Sequence, residues 1–414
     1  MPKYATHGAG GKMRKKAWIA VVVPLVGCGH AVGVMSPVAL NVTEQKATVV
    51  NMLVATTRQP SGDPATLFNG ERSSRPYMTD VAVSIPAKRE AGTVQWPKKL
   101  PPNPATDFAV TRVQPIDTLP QSRSWFKTHI EGGHALVFIH GFNNTYEDSV
   151  FRLAQIVHDS GMKATPILFT WPSRASVFGY QYDKESTNYS RSALEESLRV
   201  LTSNPDVKDI TILAHSMGTW LTMESLRQMG IRDGQVSSKI HNVILASPDI
   251  DIQVFAKQYV EMGGPKPKFT IFVSQDDKAL ALSSFLTGNV ARLGGIDPTV
   301  EPYRSKLEQA GITAIDLTKV ESNDRLNHGK FAESPQIVQL IGQHLMTGQP
   351  LTDSNISLGE GIAAVVGGTV RTVGSATGAV VSAPIRIVEQ PTKPKAEDIG
   401  ASLQIDPSSK PLTH

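Results

Sequence analysis

Ser216 lies in Asp209-Ile210-Thr211-Ile212-Leu213-Ala214-His215-Ser216-Met217-Gly218-Thr219-Trp220, where a short apolar strand runs straight into a helix. A chain that reverses so sharply admits only small residues two positions to either side of the turn, here Ala214 and Gly218. It also lifts the hydroxyl off the sheet at a helix N-terminus, where backbone N–H groups can hold a developing negative charge. The position therefore suits a nucleophile in acyl transfer, although Ala214 stands where the usual pattern has a second glycine. A serine here can equally act as a plain helix cap. A hydroxyl is too weak an acid to attack unaided, so a base, and a carboxylate that orients the base, must accompany it. Gln275-Asp276-Asp277-Lys278 leaves the apolar run Phe269 to Ser274 with two adjacent carboxylates, and His328 sits in the polar loop 321–329 that follows the run Ile312 to Leu317.

Serine, acid and histidine thus follow one another in the chain, the acid and the histidine each on a loop after a later strand, the order that brings three loops to the C-terminal edge of one parallel sheet. Asp277 is the expected acid, because it opens the helix expected over 278–286 and only one of the two neighbours can point at the imidazole. Asp249, in Ala246-Ser247-Pro248-Asp249-Ile250-Asp251, is the alternative, and each of these aspartates is also a natural helix cap. Oxyanion donors are expected from the loop Ile139-His140-Gly141-Phe142-Asn143, with the N–H of Phe142 pairing with that of Met217. Gly141 turns the backbone toward the site, His140 positions it, and His215 belongs to the sheet–helix packing. Of the eleven histidines, His7 and His30 precede the fold, and His158, His241 and His344 fall on expected helices or surface turns.

The elements that must position these residues show in the apolar pattern. Strands are expected at 48–56 and 81–86, then at 135–139, 166–171, 210–214, 242–246, 269–274 and 312–317, the later ones as short, nearly continuous apolar runs. Helical periods between them, such as 192–201 and 219–228, make this an α/β chain with a mostly parallel, doubly wound sheet and a β-rich N-terminal lead. The segments 171–188 and 286–307 are expected to overhang the site, with Trp171, Phe178, Tyr180 and Tyr182 available to line an acyl pocket. Residues 349–414 form a Gly/Ala-rich appendage, expected to be helical or partly ordered, that ends in a Pro/Lys/Ser-rich tail.

At 414 residues, 40% hydrophobic, 19% charged and a formal net charge of +4, the chain has no composition suited to nucleic acid. Its one dense basic run, Lys12 to Lys16, precedes the apolar stretch Ala17 to Leu25, the arrangement of a secretory leader. That stretch ends in Leu25-Val26-Gly27-Cys28, and Cys28 is the single cysteine. This resembles the bacterial lipobox, which implies cleavage before Cys28, lipidation of that residue and a membrane-anchored mature protein in the cell envelope. Gly29 favours the outer membrane over the inner. The expected organisation is a leader over 1–27, a tether over 28–43, a catalytic domain over 44–348 and the appendage beyond. No metal-ligand set or phosphate-cradling loop appears, so no metal or cofactor is expected, and the oligomeric state is open.

Together, His140-Gly141-Phe142-Asn143, Phe169-Thr170-Trp171-Pro172-Ser173, Ala214-His215-Ser216-Met217-Gly218 and Ser247-Pro248-Asp249-Ile250-Asp251 resemble the bacterial α/β-hydrolase family DUF900. Ala55-Thr56-Thr57-Arg58, Phe68-Asn69-Gly70-Glu71-Arg72 and Val83-Ser84-Ile85-Pro86 extend the likeness upstream, over roughly Val49 to Met346 in all. The resemblance implies the α/β-hydrolase fold and an esterase- or lipase-like activity carried by Ser216, Asp277 and His328; it implies no particular substrate. Two functions follow: a lipid-anchored serine hydrolase acting on an ester, thioester or amide, or an envelope lipoprotein that keeps the fold for binding or scaffolding without turnover.

Overall fold

A computed structural model describes residues 31–40, 47–342, 362–366 and 369–372. The leader, Cys28, His344 and most of the appendage lie outside the described residues.

Eleven strands form one sheet in the order β11-β10-β9-β8-β7-β6-β4-β5-β1-β2-β3. The parallel centre is β1 (Thr48–Pro60), β4 (His134–Ile139), β5 (Thr165–Thr170), β6 (Asp209–His215), β7 (Ile240–Ala246), β8 (Lys268–Val273) and β9 (Thr313–Asp316). The antiparallel strands β2 (Phe68–Ile85) and β3 (Ala109–Pro115) close one side. Short continuous apolar runs belong in a sheet buried on both faces, and β4, β5 and β8 are buried along nearly their whole length.

Helices cover the two faces. On one lie α2 (Tyr146–Ser160), α8 (Lys330–Glu333) and α9 (Pro335–Leu340), packed on Leu136, Phe138 and Phe272. On the other lie α1 (Leu119–His129), α3 (Tyr180–Ser203), α4 (Met217–Asp233), α5 (Ile252–Glu261) and α7 (Tyr303–Gln309), packed on Val137, Ile139 and Ile212. The alternation of Val137 and Ile139 with Leu136 and Phe138 sends successive β4 side chains into the two cores. A further helix, α6 (Lys278–Leu286), leaves the C-terminal end of β8.

Two expectations change. The appendage contributes strands: β10 (Ala363–Val366) pairs antiparallel with β9, and β11 (Thr369–Thr372) pairs with β10. Val365, Val366, Thr369 and Val370 supply the β-branched content that strands favour, and the glycine count had masked it. The second change is in the segment read as a tether, where Val34 and Met35 are buried in the core beside β2 and α2.

β4 has β5 on one side and β6 on the other, so the chain winds outward from it in both directions. The loops after β4 and β6 therefore diverge at a crevice beyond the strands' C-terminal ends, where open parallel sheets place their ligands. Phe142 and Ser216 stand on those two loops.

Candidate functional site

Ser216 occupies the single-residue turn between β6 and α4, with φ 52° and ψ −125°, a conformation that a side chain makes strained. The turn is held by the Ser216 N–H, which donates to the Ala246 carbonyl at 2.9 Å, and by the Asp249 N–H, which donates to the Ser216 carbonyl at 3.3 Å. Glycine is obligatory at two places around it. A Cβ on Gly218 would stand 2.3 Å from the His140 carbonyl oxygen, and one on Gly141 would stand 2.8 Å from the Ser216 Cβ. The β4 loop is thus pressed directly against the serine. Ala214 is fully buried, so this fold takes a methyl where glycine was expected.

The His328 Nδ1–H donates to Asp277 Oδ2 at 2.7 Å, and Asp277 Oδ1 accepts the Leu280 N–H at 3.0 Å. One carboxylate therefore both caps α6 and holds the imidazole. Asp276 faces elsewhere: it accepts from Lys330 Nζ at 2.8 and 3.0 Å, from Asn327 Nδ2 at 2.8 Å and from Ser274 Oγ at 2.5 Å. Asp249 is also turned away, accepting from Ser283 Oγ at 2.5 Å and the Tyr180 hydroxyl at 3.1 Å. Its Oδ1 lies 3.3 Å from Arg292 Nε, an ion pair by distance whose N–H is not aligned for a hydrogen bond.

Burial alone would lower the His328 pKa, but the Asp277 carboxylate, helped by the charges of Asp249 and Asp324, outweighs it and leaves the pKa raised. The His328 loop is fastened beside the serine. The His328 carbonyl accepts from His215 Nε2 and from Ser247 Oγ, each at 3.2 Å, and its N–H donates to Asp324 Oδ2 at 2.7 Å. The His215 ring lies between the His328 and Phe331 rings, tilted against both with centroids 4.7 and 4.6 Å away, and burial pushes its pKa well down, so it remains a neutral donor. No hydrogen bond joins Ser216 Oγ to the His328 imidazole among the described residues. Such bonds are commonly long in an unliganded site and tighten around the substrate.

Met217 is the first residue of α4, so its N–H has no acceptor within the helix, and the neighbouring Phe142 N–H lies on the loop that abuts Ser216. His140 positions this loop. Its Nδ1 faces the Gly141 carbonyl at 2.8 Å, and its Nε2 accepts from the Trp171 N–H at 3.1 Å and from Thr170 Oγ1 at 2.9 Å. Burial, then the Arg58 charge, pull its pKa down to about 3, so it stays neutral.

Sequence reasoning gave Arg58 no role. This buried guanidinium donates to the carbonyls of Asn144 at 2.8 Å, Ser173 at 3.0 Å and Asn69 at 3.4 Å, and to Thr170 Oγ1 at 2.9 Å. It ties the β4 loop, the β5 loop and the β1–β2 hairpin together. Its signal was the Ala55-Thr56-Thr57-Arg58 motif at the end of an otherwise apolar strand. The expected acyl-pocket aromatics do not converge. Trp171 is fully buried and stacked on His140, Tyr182 bonds to the Gly70 carbonyl and Glu71, and Phe178 is 97% exposed. Tyr180 alone reaches the site, beside a small cavity of about 60 Å³ lined also by Met217, Trp220, Asp249 and Arg292. Among the described residues, no group of His, Cys, Asp and Glu is arranged to hold a metal.

Several solved structures are similar to this chain, among them the following two. One, described as a cell surface hydrolase from Lactobacillus plantarum WCFS1, is 13% identical with a TM-score of 0.33, covering 53% of this chain and 94% of that one. The other, a Pyrobaculum calidifontis esterase, is 10% identical with a TM-score of 0.32, covering 73% and 86%. Similarity at this level says nothing of what this chain does. No curated protein matches the sequence. The profile of the alpha/beta hydrolases of unknown function, DUF900, matches residues 120–344, more than half of the chain and without the upstream motifs, and the chain belongs to that family.

Proposed function

We propose that this protein is a serine hydrolase of carboxylic esters, with Ser216 as nucleophile, His328 as general base and acid, and Asp277 as the carboxylate that orients the imidazole. The observation that carries the reading is the 2.7 Å bond from His328 Nδ1 to Asp277 Oδ2, on a loop fastened to the residues flanking the strained Ser216 turn.

With its Nδ1 proton committed to Asp277, His328 offers Nε2 as the acceptor. Nε2 takes the Ser216 hydroxyl proton as Oγ attacks the carbonyl carbon, and the N–H groups of Phe142 and Met217 stabilise the resulting oxyanion. The intermediate collapses, the alkoxide leaves with the proton from Nε2, and an acyl ester remains on Ser216. Water then attacks that ester, giving one proton to Nε2; collapse releases the carboxylic acid, and the proton returns to Ser216. Because Nε2 must be unprotonated, activity should grow with pH through the raised His328 pKa.

Cys28 belongs to the same proposal as the lipid-bearing N-terminus of a mature envelope protein, with the outer membrane the preferred location. Chromogenic esters of graded acyl length test the activity: turnover by the folded chain, abolished by Ser216→Ala and by His328→Ala, is expected. Turnover that survives Ser216→Ala in pure protein would contradict the proposal. Absence of turnover on every ester would favour the scaffold reading.

A further inference from the structure

Exposed apolar side chains gather on the sheet edge that carries Ser216. Phe178 and Val177 stand in water in the turn Val177–Gly179 that leads into α3. Leu282, Phe285 and Leu286 are exposed at three- and four-residue spacing on α6, whose inward side carries Leu280 and Ser283. The Tyr180 hydroxyl lies 2.8 Å from Ser283 Oγ, which sets the turn beside the helix. The Lys278 N–H donates to the Leu326 carbonyl at 2.9 Å, which sets the exposed Leu326 at the other end of α6, next to Asp277. An exposed apolar group bordered by charge marks an interaction surface. The exposed Lys278 and Arg325 beside it supply the sign that suits lipid phosphates.

The path of the chain toward Cys28 points the same way. Thr56 of β1 pairs with Thr170, the last residue of β5, and β1 continues to Pro60, so the turn after it projects past the Ser216 edge. The Met35 N–H donates to the Ala65 carbonyl in that turn at 2.9 Å. Cys28 is seven residues before Met35, and a chain of that length reaches roughly 25 Å at most. The described chain is thus anchored near this edge at its N-terminal side, the side to which a lipid on Cys28 would be joined.

We infer that the Ser216 edge docks on a phospholipid bilayer, with Phe178, Phe285 and Leu286 set among the acyl chains, and that the substrates are esters lodged in that bilayer. The substrate class rests on the serine hydrolase proposal and the chain-path argument on the proposed lipid at Cys28; the exposed apolar group stands without either.

The test uses the full chain carrying Ser216→Ala, in phospholipid vesicles containing nitroxide-labelled lipid, so that loss of activity cannot imitate loss of docking. A fluorophore is attached through Phe178→Cys or through Ser238→Cys, the latter an exposed position just before β7 at the opposite edge. The chain without an added cysteine reports any label on Cys28. Strong quenching at 178 with none at 238, and loss of the quenching at 178 when Phe285→Asp and Leu286→Asp are added, are expected. Equal quenching at both positions, quenching at 178 indifferent to the aspartates, or shielding of 178 in vesicle-free solution by a second copy of the chain would overturn the inference.

Discussion

Asn in place of Asp277 preserves shape and removes one charge from the middle of the proposed relay. The carboxylate accepts twice, from the Leu280 N–H on Oδ1 and from the His328 imidazole on Oδ2. An amide has only one oxygen for these two donors. If that oxygen keeps the cap, the amide NH₂ faces Nδ1 and forces the imidazole proton to Nε2, where it can no longer accept from Ser216. An aspartate-to-asparagine change that misplaces the tautomer in this way lowers kcat by about 10⁴-fold. If the oxygen keeps the imidazole instead, the cap is lost, at about 1 kcal/mol.

The folding penalty depends on pH, and its sign follows from the raised His328 pKa. A raised histidine stabilises the fold fully below its unfolded value, about 6.5, and that contribution disappears as pH rises through the folded value. Loss of a hydrogen bond to a charged partner is worth about 1.5–3 kcal/mol. Asp277→Asn should therefore lose roughly that much at pH 5 and markedly less at pH 9. Urea titrations at the two pH values and the pH profile of kcat/KM on a soluble ester measure both effects. In the wild type the acid limb should have a midpoint above that of an ordinary histidine, and in the variant residual activity should have its limb at lower pH. A variant within tenfold of wild type at pH 8, with an unmoved acid limb, would refute the assignment of Asp277.

Asp276→Asn should separate the two neighbouring carboxylates. It removes a charge from the Lys330 pair, so stability should fall by about 1–3 kcal/mol, while kcat/KM stays within about tenfold of wild type. Burial would raise the Asp276 pKa, but the bonds from Lys330 and Ser274 outweigh it and leave the pKa lowered, so its contribution is present above its unfolded value and fades as pH drops through the folded one. Arg58→Met leaves the Asn144 and Ser173 carbonyls without their donor; melting should show a loss of about 3 kcal/mol or more, and kcat should fall more than KM changes as the oxyanion loop loosens. Gly218→Ala drives a Cβ to 2.3 Å from the His140 carbonyl oxygen, and overpacking of that kind costs about 1–3 kcal/mol; reduced expression with loss of turnover would meet this expectation, and an unperturbed melt would not.

Much of the fold was legible because a parallel sheet covered on both faces has apolar strands, and β4 to β8 show as such runs within a residue or two of their ends. The N-terminal half of α3 falls in the segment expected to overhang the site, and its helix is hard to see in sequence because Tyr180 to Tyr189 is polar and its buried Asp183, Ser186 and Thr187 are satisfied by polar neighbours rather than by apolar packing. β3 was missed because only Ala109 and Val110 of Ala109–Pro115 are buried, which leaves little periodicity to detect. The proposed order Ser216, Asp277, His328 was readable because β6, β7, β8 and β9 lie side by side in chain order. The choice among Asp276, Asp277 and Asp249 could not, since it depends on side-chain direction and on partners distant in sequence, Lys330 and Arg292 among them. Arg58 was silent for the same reason: its value lies in the backbone carbonyls of Asn144, Ser173 and Asn69, and backbone acceptors leave no trace in residue type.

The proposal depends most on Ser216 being an activated nucleophile, and a fluorophosphonate that esterifies such serines tests this directly. After brief exposure of the folded protein to the reagent, mass spectrometry of its peptides should place a single adduct on Ser216, formed faster as pH rises past the His328 titration and lost with His328→Ala. An unmodified Ser216 in folded protein, or an adduct formed there equally fast without His328, would contradict the account.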